Sequence, residues 1–227
     1  NPRISHDGKY WYLSVSVEQD QKSKQLTTES IGIDVGIKDL AVCSNGMTFQ
    51  NINKTSKVSK IEKRLRRLQR SVSRKYNINK EGNRFVKTSN IIKQEKEIRL
   101  LHRKLTNIRT NHLHQASSQI VKTKPSAIVM EHLNIKGMMK NKHLSKAIAQ
   151  QKLYEFKRQI QYKCKKYGIA FVEADKWYPS SKTCSDCGCV KKQFLLSERI
   201  YKCEECLLEI DRDFNASINL SRYKSVI

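Results

Sequence analysis

The sequence predicts an α/β protein, and two kinds of segment lead to this prediction. Short runs rich in apolar and β-branched residues, which are typical of strands, recur along the chain. Between them lie longer segments in which apolar residues return every three or four positions, the spacing of one helical face. At 227 residues the chain is long enough to bury a core, as one large domain or two small ones.

The chain is predicted to begin with strands. Residues 10–18 are rich in aromatic and β-branched types and predict a strand, and the polar residues 19–30 predict a loop or linker. Three closely spaced strands are predicted next, at residues 31–35, 40–44 and 47–52. Asn45-Gly46 is a hairpin turn signal between the last two. The pattern therefore predicts a β-meander that carries Asp34 in its first strand.

Residues 55–122 predict a basic helical hairpin. Apolar residues follow helical spacing in two stretches, and the polar residues 77–90 form a flexible connection between them. The two apolar stripes consist of Ile61, Leu65, Leu68, Val72, Ile98, Leu101, Leu105 and Ile108. Lysine and arginine occupy many positions between these residues, so an apolar face can pack while a basic face meets phosphates. An ordinary amphipathic pair packed on the core is the alternative, and the two interpretations are compatible.

The second half of the chain alternates strands and helices. Pro125 is predicted to end the second helix of the hairpin. Gly168 is predicted to cap the helix at residues 143–167. The predicted strands are residues 126–133 and 169–173, and the predicted helices are residues 143–167 and 214–220. Glu131 lies near the end of the first of these strands.

The charge balance is the main clue to the partners of this chain. Lysine and arginine number 45 against 21 acidic residues, which gives a net charge of +24. This excess favours a polyanion such as nucleic acid; a solvated basic surface without a specific partner is the alternative. No apolar run approaches the roughly 18 residues of a membrane-spanning helix. Without a signal peptide, we expect a cytoplasmic protein. Because Asn1 rather than Met comes first, we expect the natural start upstream.

The cysteine spacing predicts a metal site. Seven cysteines include two close pairs, Cys184 with Cys187 and Cys203 with Cys206. An odd number of cysteines with such pairs is typical of metal binding in a reducing compartment rather than of disulfides. Because two tight turns with two thiolates each complete a tetrahedron, we predict one structural Zn²⁺ on these four residues. Cys189 leaves another choice of ligand open, and Cys43 and Cys164 are predicted to be small core residues.

Three acidic residues lie in or beside predicted elements, and they are Asp34, Glu131 and Asp213. An ionised carboxylate among apolar neighbours is costly unless a cation or hydrogen bonds compensate it. Three carboxylates from separate elements suit two Mg²⁺ ions that act on a phosphodiester. Taken singly, each acid could also be an ordinary residue at a strand end or a helix start.

The segment Asp211-Arg212-Asp213 offers two candidates for the third acid. We prefer Asp213, because it would open the last helix and face the sheet, whereas Asp211 suits a loop or capping role. Arg212 could pair with Asp211 or reach a phosphate, and the sequence leaves both open. His132, beside Glu131, is predicted to be structural, since adjacent strand residues point to opposite faces.

Four motifs, in order along almost the whole chain, resemble the RuvC-like nuclease half of the transposon-encoded TnpB (OrfB) proteins. These are RNA-guided DNA endonucleases related to the type V CRISPR effectors. The motifs are residues 32–41 around Asp34, residues 128–138 around Glu131, residues 179–188 with the first cysteine pair, and residues 203–220 with the second pair and Asp213. Two positions depart from the family pattern: Leu207, where the family usually has Gly, and Ser217, which replaces Ala.

The resemblance implies an RNase H-like (RuvC) mixed sheet flanked by helices, with the basic hairpin at about 55–122. It implies that Asp34, Glu131 and Asp213 are the catalytic acids and bind two Mg²⁺ ions. The four paired cysteines, Cys184, Cys187, Cys203 and Cys206, would bind one Zn²⁺. The implied domains are residues 1–22, as the last strand of a wedge-type barrel otherwise missing here; residues 23–180 with 211–227, as the nuclease domain; and residues 181–210, as a zinc ribbon.

We therefore predict a metal-dependent endodeoxyribonuclease that is encoded by a transposable element and guided by RNA. Its implied partners are a guide RNA from the element's own locus and a target DNA, without a membrane. Two alternatives stay open: a repressor-like derivative that binds nucleic acid without cleaving it, and a stand-alone RuvC-type nuclease that selects DNA structures.

Overall fold

The fold contains a mixed β-sheet and long helices, in a computed structural model that describes residues 2–18, 25–191 and 198–223. Part of the predicted loop 19–30 and part of the predicted zinc ribbon lie outside these described residues. The strands are β1 (Arg3–His6), β2 (Trp11–Ser14), β3 (Ser30–Val35), β4 (Asp39–Cys43), β5 (Thr48–Gln50), β6 (Lys80–Glu81), β7 (Arg84–Phe85), β8 (Ala127–Glu131), β9 (Ala170–Ala174), β10 (Ile200–Lys202) and β11 (Glu209–Asp211). The helices are α1 (Ser56–Ile78), α2 (Ser89–Lys122), α3 (Ile135–Met139), α4 (Ser145–Gln151), α5 (Leu153–Tyr167) and α6 (Arg212–Ser221).

The chain divides into two compact units. The first consists of Asn1–Asp20 and Ile52–His112, and the second of Gln21–Asn51 and Leu113–Ile227, in both cases as far as the structure describes them. In the described part of the chain, no helix combines the length and the apolar character that crossing a membrane requires.

In the first unit, β1 and β2 form an antiparallel hairpin. Asp7 closes its turn by accepting hydrogen bonds from the backbone N–H groups of Lys9 (3.0 Å) and Tyr10 (2.9 Å). The predicted strand 10–18 was too long, because β2 ends at Ser14. Ser14 pairs with Arg3, the first residue of β1, so the ladder has no partner residues beyond this point. All eight residues of the two strands are exposed.

Helices α1 and α2 pack through the predicted apolar stripes. Thr55 caps α1 with a side chain that accepts a hydrogen bond from Val58 N. Leu65 of α1 lies in one buried cluster with Leu101 and Leu105 of α2. The polar contacts follow antiparallel order; for example, Arg109 Nη2 lies 2.7 Å from a carboxylate oxygen of Glu62. The predicted flexible connection instead contains the short antiparallel strands β6 and β7, which turn through Gly82 at φ +55°.

In the second unit, five strands form a mixed sheet with the order β5-β4-β3-β8-β9. The predicted β-meander is confirmed, since β3, β4 and β5 pair antiparallel. β8 lies parallel to β3, and β9 lies parallel to β8. The predicted α/β class is therefore confirmed, and β3 and β8 are the central pair around which the candidate site lies.

The two faces of this sheet carry different partners. On one face, Ile33 and Met130 pack with Phe156 of α5 in the main core, to which the last turns of α2 also contribute. On the other face, Val129 packs with Leu220 of α6. Alternation along a strand explains this division, because residues two apart share a face and neighbours do not.

The predicted helix 143–167 is divided in the structure. Lys152 adopts a left-handed conformation (φ 54°, ψ 43°) and separates α4 from α5. At this break the buried side chain of Gln151 donates a 3.0 Å hydrogen bond to Gly36 O. Helix α3 was not predicted, whereas Gly168 is the left-handed C-cap of α5, as predicted. Cys43 and Cys164 are buried core residues, also as predicted.

Candidate functional site

The parallel pairing of β3 and β8 brings Asp34 and Glu131 side by side. The last paired positions are Ile33 and Met130, and the two acids come next in their strands. Because side chains alternate, Asp34 shares the face of Gly32, and Glu131 shares the face of Val129, which pairs with Gly32. Both acids therefore lie on the α6 face of the sheet.

Helix α6 approaches this face closely, and Gly32 makes the approach possible. A Cβ atom added to Gly32 would lie 2.0 Å from Ser217 O and 2.3 Å from Ser221 N. Only a residue without a side chain fits such a contact. Asp213 lies one helical turn before Ser217, in the first turn of α6, so the same contact delivers the third acid to the site.

The acids form an electrostatic unit, which we call the acidic trio: Asp34, Glu131 and Asp213. Burial raises the pKa of the Asp34 carboxyl well above its usual value, and the negative charges of Glu131 and Asp213 raise it further. Burial also raises the pKa of Glu131. A bound cation would relieve both effects, because it compensates desolvation and like-charge repulsion together.

Arg212 is the positive charge that the sequence left unassigned. Its Nε atom lies 4.0 Å from an Asp213 carboxylate oxygen, and both side chains are largely buried. Its charge lowers the pKa of Asp34 and of Glu131, against the effect of burial. Arg212 therefore belongs to the surroundings of the acidic trio.

Asp211 is a capping residue, as predicted. Its Oδ1 accepts hydrogen bonds from Asp213 N at 2.9 Å and Phe214 N at 3.1 Å, which satisfies the first turn of α6. Its other oxygen lies 3.8 Å from Lys38 Nζ. This cap fixes the start of α6, and it thereby fixes the backbone of Asp213.

Glu131 and Asp213 are both accessible from outside the protein. Glu131 lines a cavity of about 260 Å³ together with Lys136 and Lys157, among others. Asp213 lines a groove of about 310 Å³ together with Lys38. The cavity at Glu131 thus has two lysines and the groove at Asp213 has one, and a lysine suits a phosphate.

His132 has a partner that explains its place. Its Nδ1 lies 2.6 Å from one oxygen of Glu173, and Lys157 Nζ lies 2.6 Å from the other. These contacts agree with the prediction that His132 is structural.

The four paired cysteines are brought together, and we call them the cysteine cluster: Cys184, Cys187, Cys203 and Cys206. Their sulfur atoms all lie within 4.8 Å of one another, as one metal ion with four thiolate ligands requires. Among the described residues, no other group of three or more His, Cys, Asp or Glu side chains has its ligand atoms within such a distance of one another. The carboxylate oxygens of the acidic trio are therefore farther apart than the four sulfur atoms. Cys189 lies outside the group, so the structure assembles the symmetric pairing.

The two cysteine turns, which we call knuckles, repeat one backbone pattern. In the first knuckle (184–189), Cys184 N donates to Cys189 O at 2.8 Å; in the second (203–208), Cys203 N donates to Leu208 O at 2.9 Å. The residue after the second cysteine of each turn is left-handed: Gly188 has φ 77° and Leu207 has φ 61°. Glycine adopts a positive φ without steric cost, so the φ of 61° at Leu207 explains why Gly suits this position.

Comparisons with protein families match both parts of the chain. The model described as "Probable transposase" matches residues 12–142, more than half of the chain. A second model, "Cas12f1-like, TNB domain", matches residues 154–220, which contain the cysteine cluster and Asp213.

Curated relatives and solved structures agree with these matches. A "Putative RNA-guided DNA endonuclease" from Streptomyces pristinaespiralis is 32% identical over 92% of this chain and 49% of its own length. The relative InsQ from Escherichia coli, of the same description, is 28% identical over 97% of this chain and 55% of its own. A chain in the cryo-EM structure of a CRISPR-Cas12f ternary complex shares the fold, with a TM-score of 0.64 over 93% of this chain and 41% of that one.

This chain thus spans about half the length of the curated relatives it matches. The family model covers more than half of it, and the first of these relatives aligns with nearly all of it at over 30% identity. The chain belongs to the TnpB (OrfB) family of transposon-encoded RNA-guided endonucleases.

Proposed function

We propose that this chain is the nuclease part of an RNA-guided DNA endonuclease encoded by a transposable element, with an RNase H-like (RuvC) fold. Family membership supports this proposal, and so does the sheet, in which a three-stranded meander is followed by two parallel strands. The proposed domains are residues 1–22, 23–180 with 211–227, and 181–210, as predicted from the sequence.

The observation that carries the proposal is the acidic trio. Asp34 and Glu131 are partly buried at adjoining strand ends, and Asp213 comes from α6. Burial, and after it the negative charge of neighbouring acids, raises the pKa of both Asp34 and Glu131. Such a group fits hard divalent cations, and oxygen ligands suit Mg²⁺. Asp34, Glu131 and Asp213 would hold two Mg²⁺ ions, which would activate the attacking water and stabilise the leaving oxygen of the phosphodiester.

The protein's own residues would contribute charge and position. The charge of Arg212 favours the ionised form of Asp34 and Glu131, and so keeps them competent to bind cations. The Asp211 cap holds the first turn of α6, and with it Asp213, while the contact at Gly32 holds the later turns of the helix against β3. Lys38 and Lys136, which line the two openings, would meet the phosphates of a strand that enters the site.

The cysteine cluster would hold one Zn²⁺ with a structural role. Four thiolates leave no open position for substrate or water, so such a site is closed to catalysis. Its contribution would be to fold the segment between β9 and α6, where the buried cluster of the described residues is small and consists of Cys184, Tyr201 and Cys203.

The proposed partners are a guide RNA from the element's own locus and a target DNA. Helix α1 presents a row of exposed basic side chains for such polyanions, and they are Lys57, Lys60, Lys63, Arg64, Arg66, Arg67, Arg70 and Arg74. These residues would contact the backbone of the guide–target duplex and leave sequence reading to base pairing. The proposed location is the nucleoid of a prokaryotic cytoplasm.

The experiment that tests the proposal is cleavage of a matched DNA target by protein purified with RNA from its flanking locus. We expect cutting that requires Mg²⁺ and the matching guide, and that is lost in Asp34→Ala while RNA binding is kept. The control is Glu29→Ala, an exposed acid just before β3, at the strand end opposite Asp34. Cutting by Asp34→Ala would reject the site, and cutting without RNA would favour the stand-alone nuclease.

A further inference from the structure

Helix α6 holds the first knuckle through two buried side-chain amides. Asn215, which is fully buried, accepts a 2.9 Å hydrogen bond from Ser185 N and donates a 2.7 Å bond to Thr183 O. Asn219, one turn later, donates to Thr183 O at 2.7 Å and to Ser180 O at 2.8 Å. Thr183 and Ser185 are the two neighbours of Cys184, so these hydrogen bonds fix the backbone on both sides of a proposed Zn²⁺ ligand.

The second knuckle reaches the same helix by another route. Strand β11 follows this knuckle and continues directly into α6, and Arg212 N donates a 2.9 Å hydrogen bond to Arg199 O, just before β10. The first turn of α6 is thus attached to the second knuckle through the chain itself. Its attachment to the first knuckle depends on side chains, and Asn215 is the one nearest to Asp213, two residues away.

We propose that Asn215 is a positioning residue, which couples metal binding at the cysteine cluster to the placement of Asp213 in the acidic trio. The part that concerns the acids rests on the proposed function. When a metal ion orders the first knuckle, Ser185 N and Thr183 O are fixed, and Asn215 transmits that order to the first turn of α6. Without the amide, Ser185 N loses its hydrogen bond to α6 and Thr183 O keeps only the bond from Asn219, so the metal ion no longer affects the first turn of α6 by this route.

The first test measures order in α6 directly, with no need for nuclease activity. Amide hydrogen exchange of residues 213–216 is compared in the zinc-loaded and zinc-free chain, with strand β3 as the reference for intact folding. In the wild type we expect zinc to protect these amides. In Asn215→Ala we expect zinc to protect the second knuckle still, but to leave α6 at its zinc-free level.

The second test measures the linkage to the acidic trio. Mn²⁺ binding is titrated by electron paramagnetic resonance with and without Zn²⁺, and Asp34→Ala identifies the signal that belongs to the trio. Coupling between two sites is reciprocal and typically changes affinity by about 5–150-fold. We expect zinc to strengthen Mn²⁺ binding within this range in the wild type, and to change it by less than about twofold in Asn215→Ala, since the mutation removes the coupling rather than either site.

Two further variants separate this role from general stability. Ser221→Ala removes a hydroxyl on the same helix whose hydrogen bond among the described residues is to Ile218 O at 2.7 Å, within that helix, and it should keep the zinc effect. Asn215→Asp keeps the side-chain size but turns the donor that faces Thr183 O into an acceptor, so it should lose the zinc effect even if the alanine variant fails to fold.

The proposal fails if zinc protects residues 213–216 equally in the wild type and both Asn215 variants, because the connection would then run through β11 or Asn219. It also fails if zinc leaves α6 of the wild type unchanged. If exchange behaves as expected but no Mn²⁺ signal depends on Asp34, the coupling stands and the proposed metal site at the acids is wrong. The two failures are therefore distinguishable.

Discussion

Replacing Gly32 with Ala tests whether the contact between β3 and α6 builds the site. The added Cβ would lie 2.0 Å from Ser217 O, 2.3 Å from Ser221 N and 2.8 Å from Leu220 Cβ, whereas Cβ atoms do not approach other heavy atoms closer than 3.0 Å. Helix α6 must therefore move away by at least about 1 Å, because two of the three atoms are backbone and cannot rotate aside. Overpacking of this kind costs about 1–3 kcal/mol, and we expect a value near the upper end.

The free energy of unfolding from urea denaturation, followed by circular dichroism, measures this cost. The matched control is Gly36→Ala in the loop after β3, where the nearest atom, Asp39 O, would be at an ordinary 3.5 Å. Because a 1 Å displacement of a catalytic group can cost about 100-fold in rate, the folded Gly32→Ala protein should also cut far more slowly than the control. Equal stability of the two variants would refute the close contact and the placement of Asp213 that depends on it.

Three other predictions concern the knuckles and α5. Leu207→Gly should stabilise the protein by about 1 kcal/mol, because it removes the steric strain of a left-handed non-glycine residue. Gly188→Ala should destabilise the protein by a similar amount, because it introduces that strain. Unfolding midpoints that move the other way would contradict both expectations. Cys184→Ser should lower bound zinc below one equivalent and lower the melting temperature, whereas Cys189→Ser should keep the full equivalent, as metal analysis would measure. Hydrogen bonds from Arg158 lower the pKa of Glu155 to about 2, so its stabilising effect is present above its ordinary pKa of 4.5 and is lost as the pH falls towards 2. Because Arg158 is exposed and solvent screens the pair, the stability difference between wild type and Glu155→Gln should be at most about 1 kcal/mol at pH 7. It should shrink below pH 4.5, and a difference constant with pH would show that the charge has no role.

Local signals in the sequence were sufficient for the strands of the meander and for the cysteine cluster. Asn45-Gly46 and the flanking apolar runs specify a hairpin over a few residues, and paired cysteines carry their geometry in their spacing. The break at Lys152 was missed for the opposite reason. A left-handed lysine has no sequence signature, since lysine is an ordinary helix former and only the folded surroundings select this conformation.

The roles of Gly32 and Asn215 could not be predicted, because both depend on contacts between segments far apart in the chain. Gly32 resembles any glycine in a strand until α6 is known to lie on it. Asn215 resembles any polar residue in a first helical turn until Thr183 and Ser185 are known to face it. The sequence identifies the chemical groups of the candidate site, but packing decides which residues hold them in place.

The overall charge of the chain and the acidic trio would act in opposite directions on a nucleic-acid substrate, the first attracting it and the second repelling it. A net charge of +24 attracts a polyanion over long distances, yet at the trio a phosphodiester would face three carboxylates and only one close arginine. Like charges at that range repel strongly in a partly buried site. Under the proposed function, a substrate phosphate can approach only if cations lie between it and the acids. Burial and like-charge repulsion, which together raise the pKa of Asp34 and Glu131, therefore argue for a divalent ion in the reactive complex. If the proposed function is correct, DNA should bind near the trio more weakly in wild type than in Asp34→Ala when divalent ions are absent, and this order should reverse when a non-catalytic ion such as Ca²⁺ is added.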